Sequence, residues 1–224
     1  MRRVLVREVM TAPVVTARES APFKEIVRTL TEHRISAVPV VDAAGHLVGI
    51  VSEADLLPKQ EYRDEPARFS LLMSRAEQVS RLKAVADTAR ELMTVPVTTV
   101  QDDQTVVDAA RLMDRKLLKR LPVLDASGEL VGIVSRVDLL AVFLRDDTDI
   151  EAEIASDVLE RMLGLAADVV TIDVRDGIVS LTGILDDRSR VCLALYLSRR
   201  VDGVVDVIDH LSYRFDDTSV PYWS

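Results

Sequence analysis

The chain has 224 residues, 48% of them apolar, with 28 Lys and Arg against 37 Asp and Glu for a net charge of −9. That is enough apolar sequence for one substantial core and a second small one, and the acidic balance disfavours nucleic acid and anionic lipid surfaces as partners. One cysteine, Cys192, and three histidines, His33, His46 and His210, exclude an internal disulfide and leave little from which to build a metal centre.

The charge is unevenly placed. Residues 1–147 carry 21 basic against 22 acidic side chains, whereas residues 148–224 carry 7 against 15 and no lysine. The opening segment from Met1 to Glu8 breaks its apolar run with charge too early for a secretory signal, and no stretch approaches the roughly 20 apolar residues of a membrane span. A cytoplasmic protein without membrane attachment is the expectation.

In chain order, a strand is expected around Pro13-Val14-Val15-Thr16, followed by a helix with Phe23, Ile26, Val27 and Leu30 on one stripe. Two apolar runs, Ala37 to Val41 and Leu47 to Val51, then flank Asp42-Ala43-Ala44-Gly45, which reads as a β-hairpin. Next comes Gly49-Ile50-Val51-Ser52, with Asp55 three residues beyond the serine. Pro58 to Pro66 is polar and turn-rich, and Ala67 to Leu82 reads as a helix with a thin apolar face, either a connector or a lid or docking surface.

The block then returns. Positions 9 to 57 reappear 83 residues later with 20 identities in 49, the signature of two equivalent units that pack together. Val106, Ala109, Ala110 and Met113 form the second helical stripe, and Asp125-Ala126-Ser127-Gly128 the second hairpin turn. Ser135 and Asp138 repeat the Ser52 and Asp55 pair. One reading of that pair is a helix cap, in which the acid reaches back to the serine. The other is a ligand anchor: a helix start attracts anions, a serine hydroxyl binds phosphate or sugar, and an ionised Asp accepts from vicinal hydroxyls.

Beyond an acidic break at Asp146 to Asp149, Ile150, Ile154, Val158 and Met162 mark a further helix. Strands Val169 to Val174 and Ile178 to Ile184 flank the tight-turn pair Asp176-Gly177. A helix from about Ser189 to Arg200 and a strand from Val205 to Leu211 complete the chain. Cys192, between apolar neighbours on that helix, reads as a small buried residue.

The Met-Thr-x-Pro-Val-x-Thr, Pro-Val-x-Asp and Gly-Ile-Val-Ser-x-x-Asp-Leu-Leu pieces, each present twice, closely resemble the cystathionine-β-synthase (CBS) domain family across most of residues 7 to 144. Val174-Arg175-Asp176-Gly177 with Leu181-Thr182-Gly183, and later Val201-Asp202-Gly203-Val204, resemble the BON domain over about residues 148 to 214. The implied fold class is α+β: two β-α-β-β-α CBS units paired into one module, plus a small α-β-β-α-β BON domain. The corresponding limits are 1–66 and 93–146 for the CBS units, 67–92 for the connecting helix, 148–215 for the BON domain and 216–224 for a tail.

The CBS resemblance further implies clefts for adenosine ligands and a homodimer. Its ribose-binding acid falls on Asp55 and Asp138, and its neighbouring hydroxyl on Ser52 and Ser135. Its base-lining segments fall on Thr16 with Ala37, Val38 and Pro39, and on Thr99 with Arg120, Leu121 and Pro122. The copies differ in charge, Glu53 against Arg136 and Ser36-Ala37 against Lys119-Arg120, so Lys119, Arg120 and Arg136 are the candidates for holding phosphate. His33-Arg34 could meet a phosphate or simply end a helix with cations near its negative pole.

These features describe a non-enzymatic regulator with no obligatory cofactor, whose regulatory ligand is an adenine nucleotide, AMP, ADP or ATP. Cyclic di-AMP, NAD and S-adenosylmethionine are alternative ligands, since adenosine is common to all. No Gly-rich phosphate loop, dinucleotide fingerprint or nucleophile-base set is found, so no catalysis is expected. The BON resemblance implies membrane or phospholipid association, but its acidic composition points instead to a site for a regulated protein partner. The rival reading is an interaction or membrane-peripheral scaffold in which the CBS pair is structural and carries no ligand.

Overall fold

The computed structural model describes residues 3–63, 73–166 and 168–218. Its chain divides into two compact units, one of Met10–Gln104 with Leu112–Ser135, the other of residues up to Val9, Thr105–Arg111 and the chain from Arg136 onward.

The first unit holds β1 (Ala17–Arg18), α1 (Phe23–His33), β2 (Ala37–Val41), β3 (Leu47–Ser52), α2 (Glu53–Leu56), α3 (Pro58–Glu61), α4 (Arg75–Val85), α5 (Ala89–Leu92) and β4 (Val100–Gln101). It also contains β5 (Arg120–Leu124) and β6 (Leu130–Ser135). Two three-stranded sheets run β1-β2-β3 and β4-β5-β6. In each, the first pairing is parallel and the second antiparallel. Their registers are superimposable: Ala37 faces Ser52 and Arg120 faces Ser135, with a shift after Val40 in one and after Val123 in the other.

The leading strands are shorter and later than the sequence predicts. β1 and β4 begin just after Thr16 and Thr99 and hold two residues each, so the Pro-Val-x-Thr segments are the approach to the sheet and not its edge. The helical stripes are also narrower. In α1, Ile26 and Leu30 are buried while Val27 is 38% exposed; in α6 (Val106–Arg115), Val106, Ala109 and Met113 are buried while Ala110 is exposed. Positions i, i+3 and i+7 face inward while i+4 is exposed, so the buried stripe is narrower than the i, i+3, i+4, i+7 face of a wider amphipathic helix. Arg34, at φ 52°, closes α1 in the left-handed conformation, and Leu117 repeats it at φ 55°.

The first repeat's core is completed by residues that precede the second. Ala86, Ala89 and Leu92 are buried with Ile26, Leu30, Val38, Val40 and Val51. Backbone bonds from Phe23 to the Asp87 carbonyl (2.8 Å) and from Ala89 to the Ala21 carbonyl (2.9 Å) fix them there. The counterpart appears in the second unit, where Leu5 bridges Thr105 and Val106 donates to the Val4 carbonyl (3.1 Å). The assignment of residues 67–92 to a separate connector is therefore corrected at its C-terminal end. Pro58, expected in a turn, sits in the first turn of α3, where its missing N–H costs nothing. Of the helix expected over 67–82, residues 67–72 lie outside the described residues, and the described part is α4.

Gly49 and Gly132 have a packing reason. A Cβ on Gly49 would overlap the Met93 side chain, and one on Gly132 would overlap Met10. The Met-Thr pair of each repeat thus lies against the glycine of the other, secured by Thr94–Ile50 and Thr11–Ile133 bridges.

In the second unit, α7 (Arg136–Leu140) leads to α8 (Asp147–Glu153), which continues as a π-helical stretch, Ile154–Met162. Ile150, Ile154 and Val158 are fully buried but Met162 is 44% exposed, so the stripe ends one step early. A four-residue spacing runs ahead of an α-helical turn and behind a wider π turn, and mixing the two keeps the stripe on one face. β7 (Val170–Arg175), β8 (Ile178–Asp187) and β9 (Asp206–Phe215) form a sheet in that order around α9 (Arg188–Ser198). Asp176 and Gly177 have φ of 51° and 73°, the two positive values of a type I′ hairpin turn. The Asp147 carboxylate holds that turn by accepting from both backbone N–H groups at 2.8 Å. Cys192 is exposed, contrary to expectation: α9 buries Val191, Ala194 and Ser198, and Cys192 lies a third of a turn past that row.

Candidate functional site

A cavity of about 320 Å³ opens in the first unit, within the size range of small-molecule sites. Its wall joins both repeats: Ser36, Ala37, Ile50, Ser52 and Asp55 from the first, and Thr94, Thr98, Lys119, Arg120 and Pro122 from the second.

Local chain geometry places each group. β3 ends at Ser52, and the turn into α2 brings Asp55 back over it in a capping box. Asp55 Oδ2 accepts from the Ser52 backbone N–H and from its hydroxyl, both at 2.7 Å. The capping reading therefore holds at this pair. The helix start does not supply the anion-attracting terminus that the anchor reading uses. α2 is only four residues long, the Ser52 N–H is taken by Asp55, and the Glu53 N–H donates to the Ser36 carbonyl at 3.1 Å.

The other oxygen of Asp55 faces groups that sequence reasoning missed. Lys83, from α4, donates to Oδ1 and lies 3.3 Å from Thr94 Oγ1, while the Thr94 hydroxyl donates to the same Oδ1 at 3.3 Å. Both ends of the ion pair are shielded, with the Lys83 and Asp55 side chains 14% and 12% exposed. Also on the wall, Arg120 donates through Nη2 to the Ser36 hydroxyl, so side chains from positions that differ between the repeats meet each other.

Of the expected site residues, Ala37, Ser52, Asp55, Lys119, Arg120 and Pro122 come together at this cavity. Val38, Pro39 and Leu121 do not line it: they are buried, and Val38 belongs to the core. Side chains along a strand alternate between faces, so Arg120 and Pro122 face the cavity while Leu121 between them cannot. Thr16 and Thr99 also lie outside it, and Thr98 takes the place expected for Thr99. Ser135 closes β6, and Arg136 and Asp138 fall in α7, likewise outside this cavity. His33 is the last residue of α1 and Arg34 its C-cap, the helix-ending role. Thr94 had a signal, since Met-Thr occurs at the same point in both repeats; Lys83 lies outside the repeated block and had none. Among the described residues no group of three or more His, Cys, Asp or Glu could hold a metal ion, and no helix is long and apolar enough to cross a membrane.

The CBS domain family model matches residues 6–61 and 89–145, and the BON domain model matches residues 146–214. Over 155 residues the chain is 32% identical to the uncharacterized protein MJ1426 of Methanocaldococcus jannaschii, covering 63% of this chain and 92% of that protein. Its fold matches CBSX2 of Arabidopsis thaliana in complex with AMP, with a TM-score of 0.54, 28% identity and coverage of 63% and 97% of the two chains. It also matches the CBS domain pair of protein MJ0100 in complex with 5′-methylthioadenosine and S-adenosyl-L-methionine, with a TM-score of 0.51, 26% identity and the same coverage. Two matched CBS segments are followed by a BON segment, with α4 in the stretch between the two CBS matches, and the chain belongs to the CBS-domain family as a tandem CBS pair carrying a C-terminal BON domain.

Proposed function

We propose that this protein is a non-enzymatic regulator that binds an adenine nucleotide in the cavity of its CBS pair. The carrying observation is the convergence on one cavity of a serine-aspartate pair from the first repeat and a lysine-arginine pair from the second. Asp55 and Ser52 would meet the ribose hydroxyls, and Lys119 and Arg120 the phosphate, through charge-assisted bonds. The complexes of CBSX2 with AMP and of MJ0100 with 5′-methylthioadenosine and S-adenosyl-L-methionine support an adenosine ligand. Occupancy would be relayed through a homodimer of the pair or through the acidic BON domain to a protein partner.

One observation favours the scaffold reading instead: Asp55 is already engaged within the chain by Ser52, Thr94 and Lys83. A thermal-shift panel of AMP, ADP, ATP, cyclic di-AMP, NAD and S-adenosylmethionine separates the two. A ligand at about 100 times its dissociation constant adds roughly 2.7 kcal/mol to the native state. The expected result is a rise in Tm with an adenine nucleotide that is lost in Asp55→Ala, which removes both acceptor oxygens, while Asp55→Asn keeps one and still binds; no shift with any compound leaves the scaffold.

A further inference from the structure

We infer that Lys83 makes this cavity selective for adenosine ligands that carry a phosphate over uncharged adenosine compounds. The inference rests on the nucleotide reading above and names the class of ligand within it.

The argument begins with acceptor capacity. A carboxylate offers about four lone-pair sites. On Asp55, Oδ2 accepts two bonds from Ser52, and Oδ1 accepts one from Lys83 and one from Thr94. A ribose diol that takes Asp55 must therefore displace a donor already there, and Lys83 is the one that enters from outside the repeats.

Displacement strands a charge. The Lys83 side chain is 14% exposed, its ammonium has three donors and no acceptor, and removing one partner of a buried ion pair leaves the other uncompensated. Ribose hydroxyls satisfy the carboxylate but return no negative charge to the lysine. After the exchange the Thr94 hydroxyl, 3.3 Å away, is the hydrogen-bond partner left to it among the described residues. A ligand that brings its own phosphate replaces the lost carboxylate, and a neutral nucleoside does not. α4 buries none of its residues, so Lys83 can follow a phosphate without breaking a core.

The test compares AMP with adenosine and 5′-methylthioadenosine by calorimetry on the full chain. The wild type is expected to prefer AMP by roughly tenfold to a hundredfold, the worth of a hydrogen bond to a charged group. In Lys83→Gln adenosine should tighten, AMP should weaken, and the preference should fall below about threefold; Lys83→Arg should retain it. Because Lys83→Gln leaves Asp55 buried without its cation, an Asp55→Asn, Lys83→Gln double variant is compared with Asp55→Asn alone and should lose the preference in the same way. A wild type that binds adenosine as tightly as AMP overturns the inference, as does a preference that survives Lys83→Gln or the double variant; in both cases the nucleotide reading stands. Binding of none of the three compounds removes the nucleotide reading and this inference with it.

Discussion

The two CBS repeats have the same backbone and bring different side chains to the cavity they share. Sheet order, register, the shift after Val40 and Val123 and the left-handed caps at Arg34 and Leu117 all recur at the 83-residue offset. At the cavity wall the symmetry stops: Ser36 and Ala37 stand where the second repeat has Lys119 and Arg120. Lys83 comes from a segment outside the repeated block altogether. What recurs builds the fold and also supplies the Ser52 and Asp55 pair, and what differs gives the cavity its basic groups, Lys119 and Arg120.

The largest expected effect tests the asymmetric part. Asp55→Ala leaves Lys83 buried without its carboxylate and should cost about 3–5 kcal/mol in urea unfolding. Adding Lys83→Met should restore part of that loss, and a loss unchanged by the second substitution would mean that the ion pair is not its source.

Substitutions in the symmetric part should act alike. Gly49→Ala and Gly132→Ala each push a Cβ into a methionine of the other repeat, an overpacking worth about 1–3 kcal/mol. Their unfolding midpoints should fall by similar amounts, and Met93→Ala should relieve Gly49→Ala without relieving Gly132→Ala.

The smallest effect lies at the hairpin turns and depends on pH. Asp42 accepts from the backbone N–H groups of Ala44 and His46, each at 2.9 Å. Asp125 accepts from the N–H groups of Ser127 (2.9 Å) and Glu129 (3.0 Å) and from the Ser127 hydroxyl (2.6 Å). These donors hold both carboxyls below the usual range, led by the His46 N–H for Asp42 and by the Ser127 hydroxyl for Asp125. A depressed native pKa gives stability that is present above the unfolded value of about 3.9 and is lost as pH falls through the native one. Asp42→Ala and Asp125→Ala should therefore lower Tm at pH 7 and make less difference near pH 2.5, with the larger effect at Asp125, whose side-chain partner is the Ser127 hydroxyl at 2.6 Å, where Asp42 has His46 Nδ1 at 3.3 Å.

Much of this fold was legible because the repeat states its own register. Apolar runs on both sides of Asp42 to Gly45 and of Asp125 to Gly128 mark two hairpins, and Asp176-Gly177 demands a hairpin turn. The apolar pattern makes the stripes on α1 and α6 one position wider than the buried faces, because Val27 and Ala110 are apolar but sit on the outward side of the helical turn. Cys192 was misread for a similar reason, since apolar neighbours in sequence are not neighbours around a helix. At the cavity, Ser52, Asp55 and Arg120 could be placed from local pattern. Lys83 could not, because its meeting with Asp55 is set by the path of a non-repeating segment, which leaves no periodic trace in the sequence.

The docking of residues 86–92 into the first repeat's core bears on where this chain can be cut. Read along the sequence, a break after Val85 separates one repeat from the next. In space the same break removes Ala86, Ala89 and Leu92 from beside Ile26 and Leu30 and leaves the start of α1 without the Asp87 carbonyl. A start after Val9 likewise takes away the backbone partners of Thr105 and Val106. The unit that can be inherited, excised or transplanted is thus not the repeat the eye finds; each copy travels intact only with the short stretch that lies ahead of its twin.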